Sequence, residues 1–248
     1  MKKVINPRYH SIASELIEVV KGNYTPDVVY CNKRNVVEKV TIAGEEFVVK
    51  RYKRPILVNR IAYTLFRKSK ARRAYEYAIK LLEAGVDTPF PVAYFESREN
   101  GLFSTGIFIS KYVPYNLLEG VYDGSVSCEE RDRILNAFVD YLMSVHEKGI
   151  IPMDMNGGNV FYYKDAESGQ YNFALTDINR MKFNAKATVK DMAFSLEQCF
   201  TELEKLIDLS RIYGERIDAL PMVVLYQILS FRFKRVKKVI LKNKLKKK

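Results

Sequence analysis

The first half of the chain carries the alternating apolar and polar positions that are typical of β-strands. Three segments rich in Val, Ile and aromatic residues follow one another closely, VVYCN, NVVEKVTIA and EEFVVKRY, and Gly44 lies between the last two, where a tight turn is needed. Two more strand-like segments, VAYFES and FSTGIFISKYV, flank a turn at residues 98–101. The first three segments predict an antiparallel meander, and residues 1–113 as a whole predict five strands with one inserted helix.

Helical periodicity accompanies these strands at two places. At residues 11–20, Ser11 is expected to cap a helix that stops at Gly22. Residues 69–85 predict a second helix that also ends at a glycine. From Cys128 onward the chain is mostly helical, and two strand-like runs, NVFYY and NFALTDI, interrupt it.

This order of elements predicts the α+β class: a small antiparallel β lobe with one key helix, followed by a mostly α-helical lobe. The expected boundaries are residues 1–113 for the β lobe, 114–231 for the helical lobe and 232–248 for a basic tail. A cleft between two such lobes is a usual ligand site.

Composition supports a globular protein, since 48% of the 248 residues are apolar and only 12 are Gly and 8 are Pro. No stretch approaches the roughly 18 uninterrupted apolar residues of a membrane-spanning helix, and no apolar signal core follows Met1. The expected location is therefore the cytoplasm.

Positive charge is concentrated in two segments of a chain that holds 41 Lys and Arg against 29 Asp and Glu. Residues 50–73 contain ten basic residues and no acid, and residues 232–248 contain ten more and again no acid. Such segments suggest an anionic partner: phosphorylated lipid, a membrane face or nucleic acid. The tail fits either a solvated extension or a basic amphipathic helix on an anionic membrane.

Cysteine and histidine offer little chemistry. The three cysteines lie 97 and 71 residues apart, which is neither a metal-binding spacing nor a disulfide framework, and all three are expected to be buried thiols. Of the two histidines, His146 lies on the inner stripe of its predicted helix and is interpreted as structural, bonding to backbone carbonyls. Catalysis must therefore use carboxylates, Lys, Asn or bound cations.

A loop between a predicted helix and strand, IIPMDMNGGNVFY, carries the candidate chemistry. It places Asp154 and Asn159 five residues apart, and Asp177 ends the next strand-like run. Two carboxylates and a carboxamide suit phosphoryl transfer, which needs a group to orient an attacking hydroxyl and oxygen ligands for Mg²⁺. Strand alternation faces Lys50 toward a lobe surface, and Glu76 on the following helix is its natural carboxylate partner.

Over most of residues 27–200 the chain resembles the protein-kinase-like superfamily, and in particular the bacterial lipopolysaccharide core kinases that phosphorylate Kdo or heptose. FVVKRYKRP resembles the strand whose lysine, here Lys50, contacts the α- and β-phosphates of ATP. KARRAYEYAIKLLEAG is similar to the helix that supplies the partner carboxylate, here Glu76. The resemblance implies a protein-kinase-like bilobal fold.

The same resemblance assigns the remaining roles. ISKYVP is similar to the hinge between lobes, where Ser110 and Tyr112 would meet adenine. VHEKGIIPMDMNGGNVFY resembles the catalytic loop, which makes Asp154 the base and Asn159 a metal ligand. ALTDINR resembles the metal motif of lipopolysaccharide kinases and makes Asp177 the chief Mg²⁺ ligand.

Several positions depart from the pattern of the superfamily. No glycine lies where the phosphate loop is expected, so Lys33 and Arg34 are proposed to contact phosphates through their side chains. Asn179 replaces the last glycine of the metal motif. Arg180 is either a donor of a loop-fixing ion pair or a surface residue.

The leading hypothesis is an ATP- and Mg²⁺-dependent kinase that phosphorylates a Kdo or heptose hydroxyl of a lipopolysaccharide precursor at the cytoplasmic face of the inner membrane. Its expected partners are the anionic glycolipid and the membrane surface. A protein or small-molecule kinase of the same fold is the first alternative. A pseudokinase-like binding module is the second, favoured by the missing glycines. Nucleic-acid binding is disfavoured, because no recognised module is present.

Overall fold

A computed structural model describes residues 1–33 and 35–246 of the chain. The chain divides into two compact units. The first consists of Met1–Pro114 together with the tripeptide Asp177–Asn179, and the second of Tyr115–Thr176 and the chain from Arg180 onward. A six-stranded sheet in the first unit and long helices in the second confirm the α+β class.

The first unit is built on one antiparallel sheet with the strand order β1-β5-β6-β4-β3-β2. Its strands are β1 (Lys2–Ile5), β2 (Val28–Asn32), β3 (Asn35–Ile42), β4 (Glu45–Tyr52), β5 (Pro91–Glu99) and β6 (Leu102–Lys111). Its helices are α1 (Ala13–Lys21), α2 (Leu57–Leu65) and α3 (Lys70–Glu83).

Two tight turns fix the register of the sheet. Between β3 and β4, Ala43 and Gly44 have φ values of 49° and 80°, and between β5 and β6, Asn100 and Gly101 have φ values of 52° and 76°. Positive φ at both central residues matches the right-handed twist of a two-residue hairpin, and Asn and Gly adopt it at little cost. Both turns lie where the sequence predicts them.

Helices cover both faces of this sheet. On one face, Leu16 and Val19 of α1 pack on fully buried Phe47 and Val49 of β4. On the other, Ala71 and Tyr75 of α3 pack on aromatic residues of β4 and β5. Because successive side chains of a strand point to opposite faces, Lys50 lies on the face opposite Val49, as predicted, and this is the face that α3 covers.

The first unit also corrects several expectations. The sheet has a sixth strand, β1, which pairs with β5, and the unit has a helix, α2, that the pattern does not predict. Ser11 is not a helix cap: it lies in a 3₁₀ turn, Pro7–Ile12, that precedes α1, and Asn6 caps that turn. The predicted stop at Gly22 is confirmed by its φ of 92°.

The second unit combines helices with short strands. Its strands are β7 (Asn116–Leu117), β8 (Ile151–Pro152), β9 (Val160–Lys164), β10 (Tyr171–Leu175) and β11 (Met181–Lys182). Its helices are α4 (Cys128–Glu147), α5 (Val189–Cys199), α6 (Leu203–Arg216) and α7 (Pro221–Lys246). Strands β7, β9 and β10 form one antiparallel sheet, and β8 pairs with β11.

The core of the second unit follows the predicted apolar stripe of α4. Ile134, Phe138, Leu142 and Val145 have no exposed surface, which is the result of their spacing along one helix face. The prediction for the cysteines is correct only for buried Cys199. Cys31 is half-buried in β2, and Cys128 is exposed because it is the first residue of α4.

Helix α7 is held by an ion cluster with a buried carboxylate. Glu197 of α5 is 1% exposed and accepts from Arg232 at 3.3 Å and from Arg235 at 2.8 Å. Arg232 also donates to the carbonyls of Phe200 and Thr201, at the end of α5. The basic segment that begins at Arg232 therefore continues a helix that starts at Pro221, and two of its side chains neutralise a buried carboxylate of this unit.

Candidate active site

Lys50 and Asp177 form an ion pair in the first unit. Lys50 Nζ lies 2.8 Å from Asp177 Oδ1, and the two side chains are 16% and 32% exposed. The ammonium group also lies 5.7 Å from the centre of the Tyr52 ring. Burial, and then the negative charge of Asp177, raise the pKa of the Tyr52 hydroxyl. The Tyr52 side chain beside the ion pair is therefore uncharged.

The backbone of Asp177 has an unusual conformation. Its φ of 49° lies in the left-handed region, which Asp tolerates better than most residues with a side chain. Asn179 Nδ2 donates to Asp177 Oδ1 at 2.5 Å and thereby bridges the turn. Backbone strain of this kind is concentrated at functional sites, where the surrounding structure holds it. The sequence showed Asn179 only as a departure from a glycine.

The loop that carries Asp154 lies in the second unit, between β8 and β9. Asn156 opens a short turn by accepting from the backbone of Gly158 at 2.8 Å. A Cβ atom on Gly157 would stand 2.9 Å from the carbonyl oxygen of Cys199, closer than real side chains approach. The glycine at this position therefore allows the loop to rest against the end of α5.

Three contacts join this loop to the residues that flank Asp177 in the sequence. The backbone of Thr176 donates to the carbonyl of Asn159 at 2.9 Å, and the backbone of Met153 donates to the carbonyl of Arg180 at 3.0 Å. Arg180 Nη1 lies 3.2 Å from Asp154 Oδ2. Of its two interpretations, the structure shows Arg180 as the ion-pair donor, with a side chain that is 53% exposed.

Asn159 is oriented by the same loop. Its Nδ2 donates to the carbonyl of Asp154 at 3.0 Å, which turns its Oδ1 away from that carbonyl. An amide oxygen and the carboxylate of Asp177 are hard oxygen donors, the kind that Mg²⁺ binds in combination with nucleotide phosphates. The chemistry of these two side chains therefore fits the predicted metal.

Glu76 does not pair with Lys50 as expected. Its carboxylate lies 2.6 Å from Lys68 Nζ and 2.7 Å from Arg72 Nε. Partial burial works to raise its pKa, but the hydrogen bonds from these two cations hold the pKa below its ordinary value. The correction has a local cause: Arg72 lies one helical turn before Glu76 on α3, and side chains at this spacing meet without tertiary structure.

The expected nucleotide contacts are spread over the first unit. Lys33 is exposed after β2, and Arg34 lies outside the described residues. Ser110 is 6% exposed in the middle of the sheet, between β4 and β5. The backbone of Tyr112 donates to the carbonyl of Glu46 at 3.0 Å, which holds the predicted hinge segment beside β4.

His146 is buried inside the second unit, which fits its interpretation as a structural residue. It is 6% exposed, and its Nε2 lies 3.3 Å from the hydroxyl of Ser195. The expected hydrogen bond to a backbone carbonyl is thus replaced by one to a side-chain hydroxyl. Burial lowers the pKa of His146 to about 4, against an opposing effect of the Asp191 carboxylate. The imidazole is therefore neutral near pH 7.

No helix among the residues placed by the structure is long and apolar enough to cross a membrane. No curated protein sequence matches the chain. The solved structure of WaaP in complex with acyl carrier protein aligns with 96% of this chain and 99% of that chain, with a TM-score of 0.63 and 15% sequence identity. At this identity the likeness concerns the fold, and it confirms the predicted class.

The class of protein follows from a comparison with protein families. The model of the lipopolysaccharide kinase (Kdo/WaaP) family matches residues 30–211, well over half of the chain. The chain belongs to the lipopolysaccharide kinase (Kdo/WaaP) family, as its motifs predicted. Membership in a kinase family implies the use of ATP.

Proposed function

We propose that the protein transfers the γ-phosphate of ATP to a hydroxyl of Kdo or heptose in a lipopolysaccharide precursor, at the cytoplasmic face of the inner membrane. The observation that carries the proposal is the 2.8 Å contact between Lys50 and Asp177. It joins two residues that are far apart in the sequence and that the motifs assign to a single nucleotide.

Lys50 has the properties of a phosphate-binding residue. Its ammonium is a compact cation held at the surface of a rigid strand, so it can contact the α- and β-phosphates without reorganisation. Asp177 and Asn159 are the residues that would hold Mg²⁺, which neutralises the charge of the transferred phosphoryl group when it is bound. In the sequence, Lys33 and Arg34 take the positions of the glycines that usually line the phosphates, and they are proposed to contact the phosphates through their side chains.

Asp154 is the proposed base. Its carboxylate is 42% exposed, so an acceptor hydroxyl has access to it, and Arg180 holds one of its oxygens at 3.2 Å. An oriented carboxylate positions the hydroxyl for in-line attack and takes its proton as the new P–O bond forms. Because little covalent chemistry falls to the protein in this reaction, positioning and electrostatics supply the catalysis.

The basic end of α7 supports a peripheral membrane location. Phe233, Val236, Val239, Ile240 and Leu241 are each about half exposed or more, in a segment with ten basic residues and no acid. Apolar side chains that alternate with Lys are typical of helices that lie in an anionic membrane interface, where each Lys contributes about 1 kcal/mol. The acceptor glycolipid carries the same type of negative charge.

The test is transfer of label from γ-labelled ATP to three acceptors: extracted lipopolysaccharide precursors, a soluble Kdo or heptose sugar, and a protein mixture. We expect label in the glycolipid, and a loss of at least about a hundredfold in kcat for Asp154→Asn. Asp132→Asn is the control and should transfer at the normal rate, because it makes the same change at an acid of α4 whose side chain is 46% exposed.

Each acceptor decides a different part of the proposal. Label in the protein mixture alone would show that the substrate is a protein and not a glycolipid. Label in the soluble sugar alone would show that the reaction does not take place on a membrane-bound acceptor. Binding of MgATP without transfer to any acceptor would identify a pseudokinase-like module. Normal transfer by Asp154→Asn would show that another group is the base.

A further inference from the structure

Helix α2 packs on the sheet through its polar side chains. Arg60 is the centre of this contact, since its Nε donates to the carbonyl of Phe103 at 2.8 Å and its Nη2 to the carbonyl of Glu99 at 3.2 Å. One turn later, the hydroxyl of Thr64 accepts from the backbone of Phe103 at 2.8 Å. Tyr63 adds an edge-to-face contact with the Phe103 ring at 5.3 Å. The helix is thus fixed to the end of β5 and the start of β6.

The opposite side of the same helix exposes large apolar side chains. Leu57, Ile61 and Leu65 recur every four residues and so share one face. The exposed fractions of the apolar residues at and beside this face are 71% for Ile56, 58% for Leu57, 72% for Val58, 39% for Ile61, 64% for Leu65 and 87% for Phe66. No residue of α2 is buried. This arrangement reverses the usual amphipathic helix, in which the apolar face packs inward.

Basic residues surround this apolar face. Lys53 and Arg54 precede α2, and Arg67 and Lys68 follow it, all of them exposed. Part of this charge is balanced, because Arg54 lies 2.7 Å from Glu99 and Lys68 lies 2.6 Å from Glu76. Lys50, Arg51 and Arg72 of the same segment are also paired with acids, whereas Lys53 and Arg67 are exposed at the two ends of α2. Exposed apolar surface of this size marks an interaction site, and its basic rim favours an anionic partner.

We propose that α2 is the element that inserts into an anionic lipid bilayer, with Leu57, Val58, Leu65 and Phe66 reaching the boundary between headgroups and acyl chains. A helix that lies in this boundary buries apolar side chains while basic side chains bind lipid phosphates. The inference rests on the membrane location in the proposed function and names a second contact, in addition to the basic end of α7. It is tested by binding alone, without catalysis.

The chain contains no tryptophan, so a single introduced indole reports its own environment. We expect the emission of Phe66→Trp to shift to shorter wavelength on vesicles of equal parts phosphatidylglycerol and phosphatidylcholine, and to be quenched by lipids brominated in the acyl chain. Leu203→Trp, at the exposed start of α6, is the matched control and should show neither effect. An unchanged Phe66→Trp emission with vesicle-bound protein would overturn the proposal.

Partitioning measures how much the apolar face contributes. Leu57→Ser with Phe66→Ser should lower the vesicle partition coefficient at least about tenfold, while the unfolding temperature stays that of the wild type because both side chains are exposed. Equal partitioning of this variant and the wild type would also overturn the proposal, even if the glycolipid is phosphorylated normally. An emission shift of the Phe66→Trp variant with an acidic protein and with no vesicle would assign the face to a protein partner instead.

Discussion

The ion pair of Lys50 and Asp177 combines a fixed cation with a carboxylate whose backbone is strained. Both side chains are largely shielded from water, so the charges interact more strongly than an exposed pair would. Asn179 contributes an amide donor to the same carboxylate oxygen. These three residues form a preorganised polar cluster of the kind that stabilises developing charge, because little reorganisation is needed when the substrate arrives.

A second residue-scale consequence concerns His146, whose pKa is lowered from 6.5 to about 4 by burial. The unfolded chain binds a proton at higher pH than the folded chain does, so this residue contributes stability above pH 6.5 that is lost as the pH falls toward 4. We expect a loss of about 2 kcal/mol near pH 5, measured by urea unfolding. His146→Gln should lack this part of the pH dependence; an unchanged profile in that variant would show that other groups cause it.

For single residues, the sequence predicted the side of a strand on which a side chain lies better than it predicted that side chain's ion-pair partner. Strand alternation correctly turned Lys50 away from the buried side chain of Val49. It could not assign the partner of Lys50, because that depends on a left-handed turn at Asp177. Glu76 was assigned to a distant lysine when Arg72, four residues earlier on its own helix, was closer. A check for i, i+4 cations would have found this competitor.

Helices α5 and α7 are joined by hydrogen bonds and ion pairs between the end of α5 and two arginines of α7. The last carbonyls of a helix lack partners within it, and Arg232 donates to one of them, that of Glu197, as well as to the carbonyls of Phe200 and Thr201 just beyond the helix and to the Glu197 carboxylate. Arg235 completes the charge balance of Glu197. The start of the basic segment is therefore a structural part of the second unit.

This contact predicts a strong coupling between the two helices. Arg232→Met with Arg235→Met leaves the Glu197 carboxylate buried without a cation and should lower the free energy of unfolding by about 3–5 kcal/mol. Adding Glu197→Met should recover at least half of the loss, because no buried charge then remains. Denaturant titration of the three proteins measures this, and a triple variant as unstable as the double would contradict the account.

Local patterns accounted for most elements but missed β1 and α2. The four residues of β1 form a strand only by pairing with β5, far along the chain, and a local window cannot contain that partner. Helix α2 was overlooked as a helix because its apolar residues face outward and its charged Arg60 faces the sheet. Both elements depend on tertiary contacts that override the local pattern.

On the scale of the whole molecule, charge is distributed unevenly. Outside residues 50–73 and 232–248 the chain holds 21 bases and 29 acids, so most of the protein is acidic while two segments are strongly basic. One of these segments carries Lys50 and α2, and the other forms the end of α7. Each segment combines basic and apolar side chains, so each by itself suits contact with an anionic surface.

Truncation after Arg235 tests the contribution of α7 without disturbing the Glu197 cluster. It removes residues 236–248 with seven lysines. We expect binding to anionic vesicles to fall at least about tenfold, while MgATP affinity and the unfolding temperature remain those of the full chain. Truncation before Arg232 should in addition destabilise the protein. Equal vesicle binding by the full chain and by the variant truncated after Arg235 would show that residues 236–248 do not contribute to membrane binding.

The central claim is that Lys50 and Asp177 bind one nucleotide with its metal, and calorimetric titration with MgATP tests it most directly. Lys39→Met is a matched control, since Lys39 lies on the neighbouring strand in a comparable ion pair with Glu46 at 2.7 Å. The account predicts that Lys50→Met and Asp177→Asn each weaken MgATP binding at least about tenfold, or about 1.4 kcal/mol, while Lys39→Met binds normally. Wild-type affinity in both site variants would contradict it.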